Sequence, residues 1–473
     1  MSIRASDLWR LDGTIERGPY LVFGLLLFAL KHNLDRFLAS YVFDRPWGLF
    51  NYWIPLDRAA RVTELSRDDA LFLAAMVALA LPFIWFGVAL TVKRLRAVQL
   101  SLWLALLFFV PAVNLFLFLL LSTLPSKPVG GKPQEEKRSR TQAFLDRIIP
   151  RSAVGSAAMS LLLTLPFGVA LSVFGAEVLF EYGWGLFVAL PFALGLLATV
   201  FYTHHRRRSY AGCLLVSWLS ILFTALALFG LAVEGLICII MAAPIGVVLA
   251  AMGASLGYVL QLRPWSRNEA PAAMLVVILT VPGLMGAEAL DAEPAPLFAV
   301  GTALEIAAPP EAVWGRVVAF SEIPEPDEWV FRLGIAYPIR AEIRGEGAGA
   351  VRRCEFSTGA FIEPIEVWDA PRRLKFGVVS NPAPMEEWTL YSRVEPPHLG
   401  GYLVSRGGEF RLTPLPGGGT RLEGTTWYHH HMWPATYWRW WSDWIIHRIH
   451  LRVLNHIKAV VESDARAESL RGT

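Results

Sequence analysis

Cysteine and charge are scarce in this sequence, and each scarcity closes off a class of answer. There are three cysteines, Cys213, Cys238 and Cys354, in 473 residues. The first two lie in apolar runs and the third is far away, so neither a disulfide framework nor a zinc spacing is present. Charged residues make up 18% of the chain, where a soluble globular chain carries about a quarter. The net charge of +3 is too small to argue for nucleic acid. No Gly-rich phosphate loop, nucleophile elbow or Cys–His pair is evident. Gly345–Gly349 is a turn, since no helix follows it. A cleavable signal peptide is not expected either, because the first apolar run starts near Pro19 and lacks a small-residue cleavage site.

Apolar residues are what the chain has in excess. They account for 54% of it, and the mean hydropathy is +0.44. Residues 1–290 are a series of apolar runs, whereas 300–425 read as a soluble domain. A spanning helix needs about 20 predominantly apolar residues. Runs of that size occur at about 70–92, 153–175, 185–203, 211–232, 236–258 and 271–290. Residues 19–39 are taken as a further span despite Lys31, His32, Asp35 and Arg36, because these are i,i+4 neighbours able to pair or to snorkel. The total is roughly seven spans.

The run 100–124 is different, because Pro111 and Asn114 interrupt its middle. Lys93, Arg94 and Arg96 precede it, and Lys127, Lys132, Lys137, Arg138, Arg140, Arg147 and Arg151 follow it. Both flanks are then cytoplasmic by the positive-inside rule, and the run reads as a broken hairpin that enters and leaves on one side. The other charges agree. Arg4, Arg10 and Arg17 put the N-terminus inside. The loop 176–184, with Glu177 and Glu181, is outside, as is the Glu234 turn; Arg206–Arg208, Arg263 and Arg267 are inside. The last span exits near Asp291 and Glu293, placing the C-terminal domain outside the cytoplasm. The loop 40–68 fits least well, since it should be outside yet holds Arg45, Arg58, Arg61 and Arg67. Its Trp47, Phe50, Tyr52 and Trp53 look like interfacial anchors. Linker composition over 125–151 divides the membrane part into units 1–124 and 152–290, and residues 291–473 follow as the soluble domain.

Within the first unit, Gly13, Arg17 and Tyr20 precede the first span, Arg94-Leu95 closes the second, and Ser101 and Trp103 follow. This pattern, with the apolar-Pro break at 108–114, resembles a small bacterial inner-membrane family classed only as a domain of unknown function. That family carries Arg-Leu-His-Asp where this chain has Arg96 and Ala97 in place of the His and Asp. The resemblance covers residues 10–125 and implies a membrane location.

The soluble domain reads as a strand at 297–306, a helix opened by Pro309 and Pro310, and strands at about 338–345, 350–357, 361–368, 372–379, 401–413 and 419–428. One long helix, 434–464, closes it, with Trp438, Trp441, Ile445, Ile449, Val453, Ile457 and Val460 at helical spacing. The fold class expected is therefore a polytopic all-α membrane bundle plus an α+β domain, an antiparallel sheet wrapped around a long C-terminal helix. The stretches Ala308–Trp314, Val367–Leu374 and Gly419–Tyr428 resemble those of the helix-grip superfamily known as SRPBCC or START-like, which includes polyketide cyclases and lipid-transfer domains. The resemblance implies a cavity between curved sheet and long helix. It transfers no functional residue.

His429, His430, His431, His447 and His450 have metal-binding chemistry, but no Cys or carboxylate completes a set, and no metal and no cofactor are expected. Glu355, Glu363 and Glu366 read as solvent-facing strand residues paired with Arg352, Arg353 or Arg373, not as an acid–base pair. No catalytic residue is assigned. The tryptophans 427, 433, 438, 440, 441 and 444 cluster strongly. The first two turns of the long helix, Tyr437–Ile446, are apolar nearly all round, and a helix covering a filled sheet needs only one apolar stripe. Trp427, Trp438, Trp441 and His447 are accordingly the expected ligand-binding residues. The expected role is binding, transfer or sensing of a lipid or other hydrophobic small molecule at the inner membrane, with membrane lipids as partners. A cyclase- or hydrolase-type enzyme in the same cavity and a transporter-accessory protein are the alternatives.

Overall fold

The computed structural model describes residues 9–45, 47–48, 52, 67–110, 112–126, 140–262, 269–290, 295–391 and 396–471. The expectations for Arg4, Phe50, Trp53, Arg58, Arg61, Pro111, Lys127, Lys132, Lys137, Arg138, Arg263, Arg267, Asp291 and Glu293 lie outside these residues. The chain divides into two compact units. One comprises Met1–Leu231 with Ala242–Glu293, the other Ala232–Met241 with Pro294–Thr473.

The first unit is helical: α1 (Arg17–Phe37), α2 (Arg67–Ala97), α3 (Val113–Thr123), α4 (Arg140–Ile148), α5 (Ala153–Val173), α6 (Leu190–Tyr202), α7 (Tyr210–Gly230), most of α8 (Leu236–Leu262) and α9 (Glu269–Ala289). Among the described residues five helices are long and apolar enough to cross a bilayer: Arg67–Ala97, Ala153–Leu179, Gly185–Tyr202, Tyr210–Gly230 and Leu236–Leu262. They mark a multi-pass membrane protein. Helices α1 and α9 occupy the two other expected positions. Charges interrupt α1, and the apolar stretch of α9, Met274–Ala289, is short. In α1, Lys31 and Asp35 form the expected ion pair, the carboxylate is fully buried, and the Tyr52 hydroxyl donates to it at 2.7 Å.

Residues 101–124 do not form one helix. A 3₁₀ helix, Leu102–Phe109, is followed by α3. Phe108 lies against Gly87 in the middle of α2. The fully buried guanidinium of Arg94, one turn from the end of α2, donates to the carbonyls of Leu121 (2.9 Å), Leu124 and Ile15 (3.0 Å) and to the Ser126 hydroxyl (2.7 Å). The segment therefore runs back along α2 and returns, and Arg94 closes the C-terminal carbonyls of α3.

Small residues let α5, α6, α7 and α8 pack closely. Ser156, Ser160, Thr164, Gly168 and Ser172 recur every four residues along α5 and are buried. Ser160 donates to the Ala198 carbonyl at 2.7 Å, Ser220 to Thr164 at 2.8 Å and Ser217 to the Ala250 carbonyl at 3.0 Å. A Cβ at Gly195 would overlap the backbone of Ala250, and one at Gly253 the carbonyl of Phe192.

The second unit holds β1 (Phe298–Ile306), α10 (Pro310–Val318), α11 (Trp329–Arg332), β2 (Pro338–Arg344), β3 (Val351–Phe356), β4 (Gly359–Asp369), β5 (Arg373–Gly377), β6 (Leu403–Pro414), β7 (Thr420–His430) and α12 (Ala435–Arg471). The strands form one antiparallel sheet in the order β1-β7-β6-β5-β4-β3-β2. Short turns join β2 to β3, β3 to β4, β4 to β5 and β6 to β7, which makes these neighbours antiparallel. The sheet grips α12. Val453, Leu454, Ile457 and Val461 pack with Ile306, Leu374, Leu412, Leu422 and the α10 residues Val313 and Val317. Each such side chain contributes about 1.5–3 kcal/mol on burial. At the other end of α12, Ala435 and Ile446 pack with Phe298, Val300 and Tyr428.

One expectation about the sheet needs correction. Glu363 is not solvent-facing. It sits opposite Arg352 in the β3–β4 register, and both are buried in an ion pair. The Arg352 guanidinium lies over the rings of Phe320, Phe376 and Phe410 and donates to the Val318 carbonyl at 3.2 Å. Alternation along β3 puts Arg352 and Cys354 on the covered face. Glu355 meets Arg340 and Arg353 near the surface, and Glu366 meets Lys375.

Candidate functional site: the grip and its open end

Between β1, β7 and α12 the interface is polar in one place. The Thr302 hydroxyl on β1 shares hydrogen bonds with Nδ1 of His447 (2.8 Å) and Nδ1 of His450 (3.1 Å). Nε2 of His450 meets the Thr426 hydroxyl on β7 at 2.8 Å. Burial, with His447 beside it, pushes the His450 imidazole down to about 4, so the ring is neutral at pH 7. Both its nitrogens are engaged by hydroxyls, and the pair fastens helix to sheet. One turn earlier, the buried Tyr428 hydroxyl donates to Asp443 at 2.6 Å, and Arg439 donates to the same carboxylate at 3.0 Å. His430 is fully buried against Phe298, and burial also lowers it to about 4.

The four expected ligand residues do not come together. Trp438 is buried, Trp441 is half-buried and its indole N–H finds no acceptor among the described residues, and His447 is exposed apart from its Thr302 contact. Trp427 alternates with Thr426 and Tyr428, whose side chains reach α12, so it projects from the opposite face of the sheet. The period of two in a strand keeps it off the gripped side. His429 and His431 stand with Arg406, with no carboxylate in the group.

A groove of about 660 Å³ is lined by Phe331, Ile335 and Tyr337, with Glu325, Asp327, Arg332, Ser357 and Glu386 around them. That volume falls within the usual range for small-molecule pockets, about 300–1,000 Å³. Its wall is built by two loops that pair. Glu386 N–H donates to the Gly334 carbonyl at 2.8 Å, and Ala336 N–H to that of Pro384 at 3.0 Å. Arg452 of α12 braces it, donating to the carbonyls of Pro338 and Pro324 (3.1 and 2.6 Å), 5.1 Å from the Tyr337 ring centroid.

The same loop continues to the first turn of α8. Leu236 N–H donates to the Trp388 carbonyl at 3.0 Å, and Glu387 accepts from the N–H groups of Ile237 (3.1 Å) and Cys238 (3.2 Å). A carboxylate here satisfies free N–H groups at a helix start. Trp388 and Leu390 just beyond are 63% and 74% exposed. Sequence reasoning missed this set, and missed that Cys238 meets His398. The two are 160 residues apart, and no spacing rule joins them.

Residues 8–132 match the model of a family described as "Protein of unknown function (DUF805)". No curated protein matches the chain. Among solved structures, the C-terminal domain is similar to norcoclaurine synthase from Thalictrum flavum, at 12% identity and a TM-score of 0.25, over 37% of this chain and 99% of that one. Zhui aromatase/cyclase from Streptomyces sp. R1128 matches at 17% identity and a TM-score of 0.26, over 37% and 98%. Ara h 8.0201 matches at 14% identity and a TM-score of 0.23, over 36% and 99%. The chain combines a segment that matches this family with a C-terminal domain in which an antiparallel sheet grips a long helix.

Proposed function

We propose that this protein holds a lipid, or a hydrophobic small molecule of similar chemistry, in the helix-grip domain at the outer face of the cytoplasmic membrane. One observation carries the reading. The loop that walls the groove, Pro384–Trp388, is hydrogen-bonded to the first turn of α8, which enters a spanning segment. The apolar lining of Phe331, Ile335 and Tyr337 would take the hydrophobic part of such a molecule. Exposed Trp388 and Leu390 support a position at the membrane–water interface, where such side chains are favoured.

The orientation follows from charge. An internal N-terminus, an external Glu234 turn and an external C-terminal domain agree with the bonds that join Glu387 and Trp388 to Ile237 and Leu236, because both partners must then lie on one side. The return of 101–124 to Arg94 supports a segment that enters and leaves on the cytoplasmic side. A C-terminal reporter active only outside the cytoplasm should be active. A signal from an inside-only reporter, with the first one silent, contradicts the orientation.

A further inference from the structure

The first turn of α8 and the loop between β5 and β6 bring a thiol, an imidazole and two carboxylates together. Cys238 Sγ lies 2.8 Å from His398 Nε2. On the other side of the ring, Nδ1 is 3.6 Å from a Glu234 oxygen. The candidate ligand atoms of Glu234, Cys238 and His398 all lie within 4.8 Å of one another. Glu387 holds the backbone of Cys238 from the helix end and contacts its thiol. Gly235 makes this possible, since a Cβ there would collide with the Glu387 carboxylate.

We infer that Glu234, Cys238 and His398 form a site for one divalent transition-metal ion, with Glu387 as a positioning residue. The donor set selects the metal. Sulfur, imidazole nitrogen and a single carboxylate suit Zn²⁺, while Mg²⁺ and Ca²⁺ take oxygen. Ligand atoms around a tetrahedral zinc stand roughly 3.3–3.9 Å apart, given Zn–S near 2.3 Å and Zn–N near 2.0 Å. The three candidate atoms lie within 4.8 Å of one another with the sulfur and the Glu234 oxygen on either side of the ring, so closing on one ion takes a rotation of the His398 or Glu234 side chain. Binding replaces the thiol proton of Cys238 with the metal and releases that proton to solvent.

The competing chemistry, a nucleophilic cysteine, fits the same residues less well. A reactive thiolate at a helix start draws on the free N–H groups there, and Glu387 already takes those of Ile237 and Cys238. Two carboxylates beside the sulfur oppose a bare thiolate, whereas a cation between them is favoured. Asp146, His204 and His205 form a second cluster, without sulfur. There His204 already bonds Asp146 at 2.9 Å and His205 the Ile149 carbonyl at 2.7 Å. It serves as the control.

The test uses the full-length protein in detergent, freed of its affinity tag and stripped with chelator. Loading with Co²⁺ should give a thiolate-to-cobalt charge-transfer band in the near ultraviolet. Cys238→Ser should abolish the band, while Cys354→Ser and His204→Ala leave it unchanged. Elemental analysis after zinc loading should show one equivalent fewer in Cys238→Ser and in His398→Ala than in the parent. Absence of a sulfur band in the parent protein, which needs no variant to fold, overturns the site. So does an unchanged zinc content in folded Cys238→Ser.

Discussion

The Thr426 hydroxyl on β7 lies 2.8 Å from Nε2 of His450 on α12, one of several polar ties, with those of Thr302 and Tyr428, in an interface otherwise closed by apolar packing. This tie makes the grip sensitive to acid. His450 and the fully buried His430 are both pushed down to about 4 by burial. In the unfolded chain each titrates near 6.5. The unfolded state therefore takes up protons first as the pH falls. The stabilisation is complete above about pH 6.5 and is lost progressively down to about pH 4. Each group then accounts for a loss of about 3–4 kcal/mol at the acid end. Thermal melts of the full protein in detergent at pH 7.5 and 5.0 should show the drop, and His450→Gln and His430→Gln should each flatten it. An equal drop in the parent and both His→Gln variants would remove these residues from the account.

The buried pair Arg352–Glu363 gives a second prediction. Removing one partner leaves an uncompensated charge, which costs about 3–5 kcal/mol. Glu363→Ala should therefore sharply lower the melting temperature. The double variant Arg352→Met with Glu363→Leu should recover most of the loss, since an apolar pair of similar volume needs no desolvation. A double variant less stable than the single one speaks against this.

Arg94 should not tolerate lysine. Its planar fork reaches three backbone carbonyls and the Ser126 hydroxyl from one buried position. An ammonium has three donors on one atom and cannot span them. Both Arg94→Lys and Arg94→Ala should destabilise by about 2–3 kcal/mol or more through unsatisfied carbonyls. Detergent melts of the two variants check it, and a Lys variant as stable as the parent contradicts it.

In the membrane bundle, Gly195→Ala and Gly253→Ala should each cost about 1–3 kcal/mol through overpacking, because the added Cβ meets backbone atoms that cannot turn aside. Gly283→Ala, with nothing within 4 Å, serves as the neutral comparison.

Much of this fold was legible in the sequence. The strand expected at 297–306 is Phe298–Ile306, that at 419–428 is Thr420–His430, and the closing helix expected over 434–464 runs Ala435–Arg471. Period and turn residues carried these, because they are local signals. What failed was long-range. Arg352 and Glu363 read as surface charges because alternation alone does not say which face is covered. Trp427 read as a cavity residue because composition carries no face, and the strand register decides it. Cys238 read as a residue of an apolar run. Its meeting with His398 depends on a loop and a helix start that nothing local connects. The groove arises from irregular loops around Gly334 and Pro384, where periodicity is silent.

The central claim, a lipid or lipid-like molecule held in the groove, is tested most directly by filling the groove. Ser357 lines it and is exposed, so Ser357→Trp should block it without touching the core. The full protein and this variant should be purified in parallel in detergent, and the molecules released from each identified by mass spectrometry. The account predicts one hydrophobic species in near-stoichiometric amount from the parent, reduced at least tenfold in Ser357→Trp. Equal amounts from both proteins, or none from the parent, would contradict it.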